Sequence, residues 1–81
     1  VNRYRIAYAS VAEAVLRQMN APGDFRAAME RTLGRDPYGH RSRAVNGEKD
    51  RRQAVVAGAL VVYYVSQTVL RVTAVRLIPP P

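Results

Sequence analysis

The residues of this sequence that could do chemistry are mostly cations, and they gather just ahead of one apolar run. Arg41, Arg43, Lys49, Arg51 and Arg52 lie close together before and within the approach to Ala54–Val65. Guanidinium groups are planar forks that match phosphate oxygens, so this cluster reads as a phosphate-binding patch. His40, the one histidine, precedes it and is the side chain that titrates near neutrality, a candidate general acid or base. Tyr64, inside the apolar run, offers a ring for stacking on a base and a phenol for acid/base work. Glu13, Asp24 and Glu30 read instead as caps and solvated charges on helix faces.

Composition narrows the partners. The formal net charge is +7 and the pI is near 10.8, which calls for an anionic partner: nucleic acid, an acidic protein or a membrane surface. Lys49 is the single lysine among thirteen basic residues. GC-rich coding accounts for arginine over lysine, but not for the excess of positive charge. Without cysteine there is neither a disulfide nor a thiolate metal site, and one histidine argues against zinc. No metal or other cofactor is expected, and a cysteine-free chain fits a reducing cytoplasm. The apolar run meets Ser66-Gln67-Thr68 and then Arg71, well short of the roughly 20 residues of a membrane span. Glu13 and Arg17 likewise argue against a signal peptide.

The elements that must position these residues follow from periodicity, and 81 residues suffice for one domain, 1–81. Tyr4, Ile6 and Tyr8 alternate with Arg3, Arg5 and Ala7, which predicts a first strand. Ser10 and Glu13 have capping-box spacing, and Val11, Ala12, Val15, Leu16 and Met19 continue a helix to Gln18 or Met19. Asn20-Ala21-Pro22-Gly23 breaks it. A second helix starts near Asp24 with Phe25, Ala28, Met29, Thr32 and Leu33 on one stripe, and Gly34 stands at its αL cap position. Arg35–Asp50 lacks apolar period and reads mostly as loop. Ala54–Val65 reads as a hairpin turning at Gly58, with Leu60–Val65 the most buried strand. Val69–Ile78 makes the last strand, and Pro79-Pro80-Pro81 ends pairing. The fold class is therefore α+β in the order β-α-α-β-β-β. A two-helix hairpin covers one face of a small, mainly antiparallel four-stranded sheet.

Alternation then sorts the candidates. Arg51, Gln53 and Val55 share one face of their strand, with Arg52, Ala54 and Val56 on the other. Leu60, Val62 and Tyr64 share a face of the next strand, and Arg71 and Thr73 make the polar face of the last.

The order of these motifs resembles the RelE/ParE superfamily of bacterial type II toxin–antitoxin toxins. The resemblance rests on Tyr4-Arg5-Ile6-Ala7-Tyr8 leading into two helices, then on Arg35-Asp36-Pro37-Tyr38-Gly39 closing the second. Asn46-Gly47 follows before a basic strand, and Gly58-Ala59-Leu60-Val61-Val62-Tyr63-Tyr64-Val65 stands where that family has a Gly-aromatic-Arg-Val-Val-Tyr stretch. It implies a cytoplasmic toxin silenced by a cognate acidic antitoxin. Many members enter the ribosome and cleave mRNA by activating a ribose 2′-OH while cations stabilise the phosphorane-like transition state. ParE-type members instead poison DNA gyrase by protein contact.

The resemblance implies that Tyr63 is the buried family tyrosine, which leaves Tyr64 on the open face. Arg51 and Gln53 match positions where the ribonuclease members carry catalytic or RNA-positioning residues. The expected catalytic set is thus Arg51, Tyr64 and His40, and the expected RNA-binding set is Arg41, Arg43, Lys49, Arg52, Gln53 and Arg71. Two positions depart from the pattern. Leu60 replaces an arginine, and Leu77-Ile78 and prolines stand where an Arg, His or Tyr follows the last strand. These departures favour the alternatives, a gyrase inhibitor or a toxin relative without catalysis. An unpaired first-strand edge leaves room for a homodimer beside the toxin–antitoxin heteromer.

Overall fold

A computed structural model describes residues 3–80. Its elements are β1 (Arg5–Tyr8), α1 (Ser10–Arg17), α2 (Pro22–Thr32), β2 (Arg43–Val45), β3 (Glu48–Val56), β4 (Ala59–Ser66) and β5 (Arg71–Ile78). The five strands form one sheet in the order β1-β5-β4-β3-β2. β1 runs parallel to β5, and every other neighbour is antiparallel. Val1, Asn2 and Pro81, at the ends of the predicted first strand and proline tail, lie outside the described residues.

The sheet has five strands rather than the expected four, because Arg35–Asp50 is not all loop. Asn46 and Gly47 both take positive φ, 54° and 75°, and close a two-residue hairpin between β2 and β3. Ala57 and Gly58, at 50° and 83°, make the equivalent turn between β3 and β4 where the sequence places it. Pro80 folds back over that turn, with its Cβ 3.6 Å from where a Gly58 Cβ would sit.

Both helices pack on one face. Ala12 and Leu16 of α1, Phe25 and Met29 of α2, and Leu33 just beyond it are buried. They meet Ala54, Val56, Ala59, Val61, Tyr63, Val65, Val72, Ala74 and Leu77 from the sheet. Burial alternates along β4 from Ala59 to Val65, as a strand with one covered face must.

Three local expectations fail for identifiable reasons. Ser10 is the first residue of α1 rather than its cap, and the capping box does not form. Glu13 accepts a hydrogen bond from Arg26 of α2 at 2.8 Å and so ties the helices together. Pro22 does not merely break the first helix; it opens the second, where its missing N–H and fixed φ are no handicap. Gly34 is not in the left-handed region. It is required by crowding, because a Cβ there would meet the Glu30 carbonyl oxygen at 2.6 Å.

Candidate nucleic-acid interface

The face of the sheet opposite the helices carries the candidate residues in rows set by strand register. In the first row Val55 lies opposite Leu60, and Leu60 opposite Ile78. In the second, Arg43 pairs with Gln53, Gln53 with Val62 and Val62 with Arg76. In the third, Arg51 pairs with Tyr64, Tyr64 with Thr73 and Thr73 with Ala7. In the fourth, Ser66 pairs with Arg71 and Arg71 with Arg5. Successive rows stand roughly 7 Å apart, two residues along each strand. The result is a cationic field of Arg5, Arg43, Arg51, Arg71 and Arg76 around Tyr64.

Tyr64 is 41% exposed, and the Arg51 guanidinium carbon lies 5.3 Å from its ring centroid. Arg51 also approaches Glu48 at 3.8 Å, while its buried Nε has no hydrogen-bond partner. A cation held against an aromatic face leaves its outer N–H groups free for an anion. Tyr63, one residue earlier, faces the helices and is fully buried. Its hydroxyl donates to the Pro37 carbonyl at 2.5 Å, and burial pushes its pKa up.

The structure divides the expected catalytic and RNA-binding residues together. Arg43, Arg51, Gln53, Tyr64 and Arg71 share the open face, and Arg41 joins them at its border. Arg41, Arg43, Gln53, Val55 and Leu60 line a cleft of about 220 Å³. Arg52 and Lys49 turn to Tyr38 instead, each 5.5 Å from its ring centroid. Arg52 donates from Nε to Ser42 Oγ at 2.9 Å, and to the Ser42 and Lys49 carbonyls at 3.2 Å. Those bonds occupy the guanidinium in holding β2 against β3.

Tyr38 is the post of this second cluster. Its hydroxyl donates to Asp50 Oδ1 at 2.6 Å and accepts from Gln67 Nε2 at 3.0 Å. Burial, and then the Asp50 hydrogen bond, push its pKa up to about 12. Asp36 fixes the start of the same loop by accepting from the Tyr38 and Gly39 amides at 3.3 and 3.0 Å.

His40 lies at the Val55 end of the open face, two rows from Tyr64. Its Nε2–H donates to the Val55 carbonyl at 3.2 Å. That bond occupies one ring nitrogen with an oxygen of the sheet. His40, Arg41 and Val55 border a recess of about 570 Å³.

Two cations escape sequence reasoning. Arg5 comes into the field because β1 pairs in parallel with β5, placing it beside Arg71. Arg76 comes in through a bulge. Strict alternation from Arg71 would turn Arg76 toward the helices, but the register shifts between Val62 and Tyr63, leaving Val75 as the extra residue of β5. Leu77 is therefore buried and Arg76 exposed. The signal was present: Val72, Ala74 and Leu77 cannot all face inward with a period of two.

Among the described residues no group of three or more His, Cys, Asp or Glu could hold a metal ion. No helix there is long and apolar enough to cross a membrane.

No protein-family model matches the sequence, and no curated protein matches it. Solved structures do resemble it. The toxin–antitoxin complex RelBE2 from Mycobacterium tuberculosis contains a chain that superposes with a TM-score of 0.72 at 17% identity. The match covers 95% of this chain and 98% of that one. A chain of the archaeal RelE–RelB complex from Pyrococcus horikoshii OT3 superposes with a TM-score of 0.66 at 16% identity, over 95% of this chain and 94% of that one. The two-helix, five-stranded architecture is thus the fold found in RelBE toxin–antitoxin complexes.

Proposed function

We propose that this chain is the toxin of a type II toxin–antitoxin pair, and that it cleaves mRNA on the ribosome. The observation that carries the reading is the open sheet face, where Arg51 and Arg76 stand on the strands either side of Tyr64, in a fold shared with chains of RelBE complexes. An RNA strand laid over this face would place phosphates between guanidiniums and a base against the Tyr64 ring.

The chemistry asked of the site is internal phosphoryl transfer. The ribose 2′ oxygen bonds to the adjacent phosphorus as the bond from phosphorus to the 5′ oxygen breaks. The 2′ hydroxyl gives up its proton, and the departing 5′ oxygen takes one. Arg51 and Arg76 stabilise the added negative charge on phosphorus, which is where fixed cations accelerate most. The Tyr64 hydroxyl, between them, relays the proton. Arg41, Arg43, Gln53 and Arg71 guide the strand, and His40 borders its path near the Val55 end. Lys49 and Arg52 support the loop that carries Arg41 and leads into Arg43 of β2.

The second reading, a gyrase inhibitor or a toxin relative without catalysis, is favoured by one residue. Leu60 stands in an aliphatic row where the ribonuclease pattern calls for arginine, so the site works without that cation or does not work at all. Expression without an antitoxin separates the readings. The nuclease reading predicts growth arrest with messages cut inside their translated frames. Arrest with intact messages and altered DNA supercoiling, or unaffected growth, would remove it. The partner implied is a cognate acidic antitoxin, which would occupy the cationic surface when translation is to continue.

A further inference from the structure

A cleft on the helix side of the molecule has no part in the open face. It runs between the α1–α2 connection, one flank of α2 and the Pro79-Pro80 tail. Its volume is about 550 Å³, in the usual range of a small-molecule site. Met19, Phe25, Ala28, Pro79 and Pro80 give it apolar walls. Asp24 and Arg31 stand at its rim, two helical turns or about 10 Å apart along α2, with the small Ala28 between them. Among the described residues the ion pairs join Glu13 to Arg17 and Arg26, and Glu48 to Arg51, so neither rim charge is neutralised. Arg31 also borders a smaller cleft of about 200 Å³ with Arg3, Glu30 and Arg35. The helix dipole accounts for an acid in the first turn of α2 and a base in its last. It does not account for the apolar trough between them, nor for three guanidiniums around one carboxylate at the far end.

An occupant must meet three demands in order along the trough: hydrogen-bond donors for Asp24, a flat apolar body for the walls, and an anion for the arginines. A fatty acid meets only the last two. A guanosine phosphate meets all three. The guanine edge presents two adjacent N–H donors, N1 and N2, which a carboxylate accepts as a pair. Its ring faces suit the Met19 thioether and the proline rings. Its phosphate suits guanidinium forks. Adenine lacks the paired donors and sets an acceptor against the carboxylate instead. We infer that this cleft binds a guanosine phosphate, with the guanine edge on Asp24 and the phosphate between Arg31 and Arg35. A free nucleotide and an unpaired guanosine of an RNA strand present the same groups. The inference does not depend on message cleavage, and it lies away from the strand path over Tyr64.

The probe is GMP carrying a methylanthraniloyl fluorophore on its ribose, followed by anisotropy with the full chain. The labelled GMP should bind and unlabelled GMP should displace it. AMP and inorganic phosphate should each compete at least about tenfold less well, since each lacks groups the site pairs. Asp24→Asn should bring GMP and AMP to within about twofold of one another. Arg31→Ala should weaken GMP about tenfold, the loss of one charge-assisted hydrogen bond, and leave guanosine unchanged. Ala28→Leu changes no charge but fills the trough, and should also weaken GMP about tenfold. Asp24 and Arg31 are exposed and Ala28 is half-buried, so melting temperatures should move little.

No binding at about 1 mM nucleotide, equal competition by GMP and AMP, or unchanged GMP affinity in Ala28→Leu would overturn the assignment. The last result would mean only diffuse attraction to a chain of net charge +7. The trinucleotides GUU and UUU separate the two sources. If GUU displaces the probe at least about tenfold better than GMP while UUU does not, the cleft takes a guanosine of RNA. If GMP competes as well as GUU, it takes the free nucleotide. If GMP binds as expected while the wild type cleaves no message, the toxin reading fails and the nucleotide site stands.

Discussion

Arg76 lies directly across from Val62, on the open face of the sheet, although its sequence spacing from Arg71 would point it at the helices. One extra residue in β5 makes the difference. Val75 takes up the bulge, Leu77 reaches the core in its place, and a cation is aimed beside Tyr64. Bulges re-aim side chains in this way at the cost of a locally broken ladder.

If Arg76 stabilises charge on the scissile phosphate, Arg76→Ala should slow message cleavage by on the order of 10²-fold, the usual loss for one such donor. Because the side chain is exposed, the melting temperature should hardly move. Arg17→Ala, on the exposed face of α1, is the control and should cleave as the wild type does. Equal loss in both variants would show that general charge, not position, sets the rate.

Arg51 and Arg52 are sequence neighbours with opposite duties. Arg51→Ala should weaken RNA binding and reduce the slope of log affinity against log salt by about 0.7, one phosphate contact on a single strand. Arg52→Ala should leave that slope alone and lower stability by roughly 1–3 kcal/mol, since it removes a charged donor from Ser42 and the Lys49 carbonyl. Chemical denaturation and a salt titration of RNA binding separate the two.

The adjacent tyrosines should divide the same way. Tyr63→Phe leaves the Pro37 carbonyl without its donor, which should cost about 1–2 kcal/mol in a denaturant melt. If the Tyr64 hydroxyl relays the proton, Tyr64→Phe should melt like the wild type and lose cleavage, because it deletes the hydroxyl but keeps the ring over Arg51. A stable, fully active Tyr64→Phe would leave Tyr64 as a stacking surface only.

Tyr8 supplies a pH test. Its hydroxyl is buried without a hydrogen-bond partner, and burial first of all pushes its pKa up to about 12, against a lowering by the Arg26 guanidinium 5.0 Å from the ring centroid. The folded chain therefore holds this proton more tightly than the unfolded chain. The associated stability is complete below about pH 10 and is lost as pH rises toward 12. Tyr8→Phe should flatten the fall in melting temperature over that window. At pH 7 it should be neutral or stabilising by up to about 1 kcal/mol, since it removes an unsatisfied polar atom.

Much of this was legible in the sequence because one-sided burial writes a period of two into the strands. Ala54–Val65 declared its turn at Gly58 and put Tyr63 and Tyr64 on opposite faces, while the family resemblance implied which of the two is buried. The layer of two helices was equally plain from their apolar stripes. What stayed hidden depended on irregularity or on long-range pairing. The hairpin at Asn46-Gly47 was masked by polar residues on an edge strand with no core face to mark it. Arg5 joined the site only through a parallel pairing with a strand far along the chain. Lys49 and Arg52 looked like part of one patch because the loop around Tyr38, which claims them, has no period to read. Ser10 failed as a cap because the chain turned one residue earlier than its side chain required.

The central claim is that the open face cuts ribosome-bound message, and a reconstituted translation reaction tests it most directly. Purified protein is added to ribosomes translating a defined mRNA, and the new 5′ ends are mapped. The account predicts cuts inside the translated frame that require ribosomes and disappear in the Arg51→Ala/Arg76→Ala variant. Intact message under those conditions, with DNA gyrase inhibited by the same preparation, would contradict it.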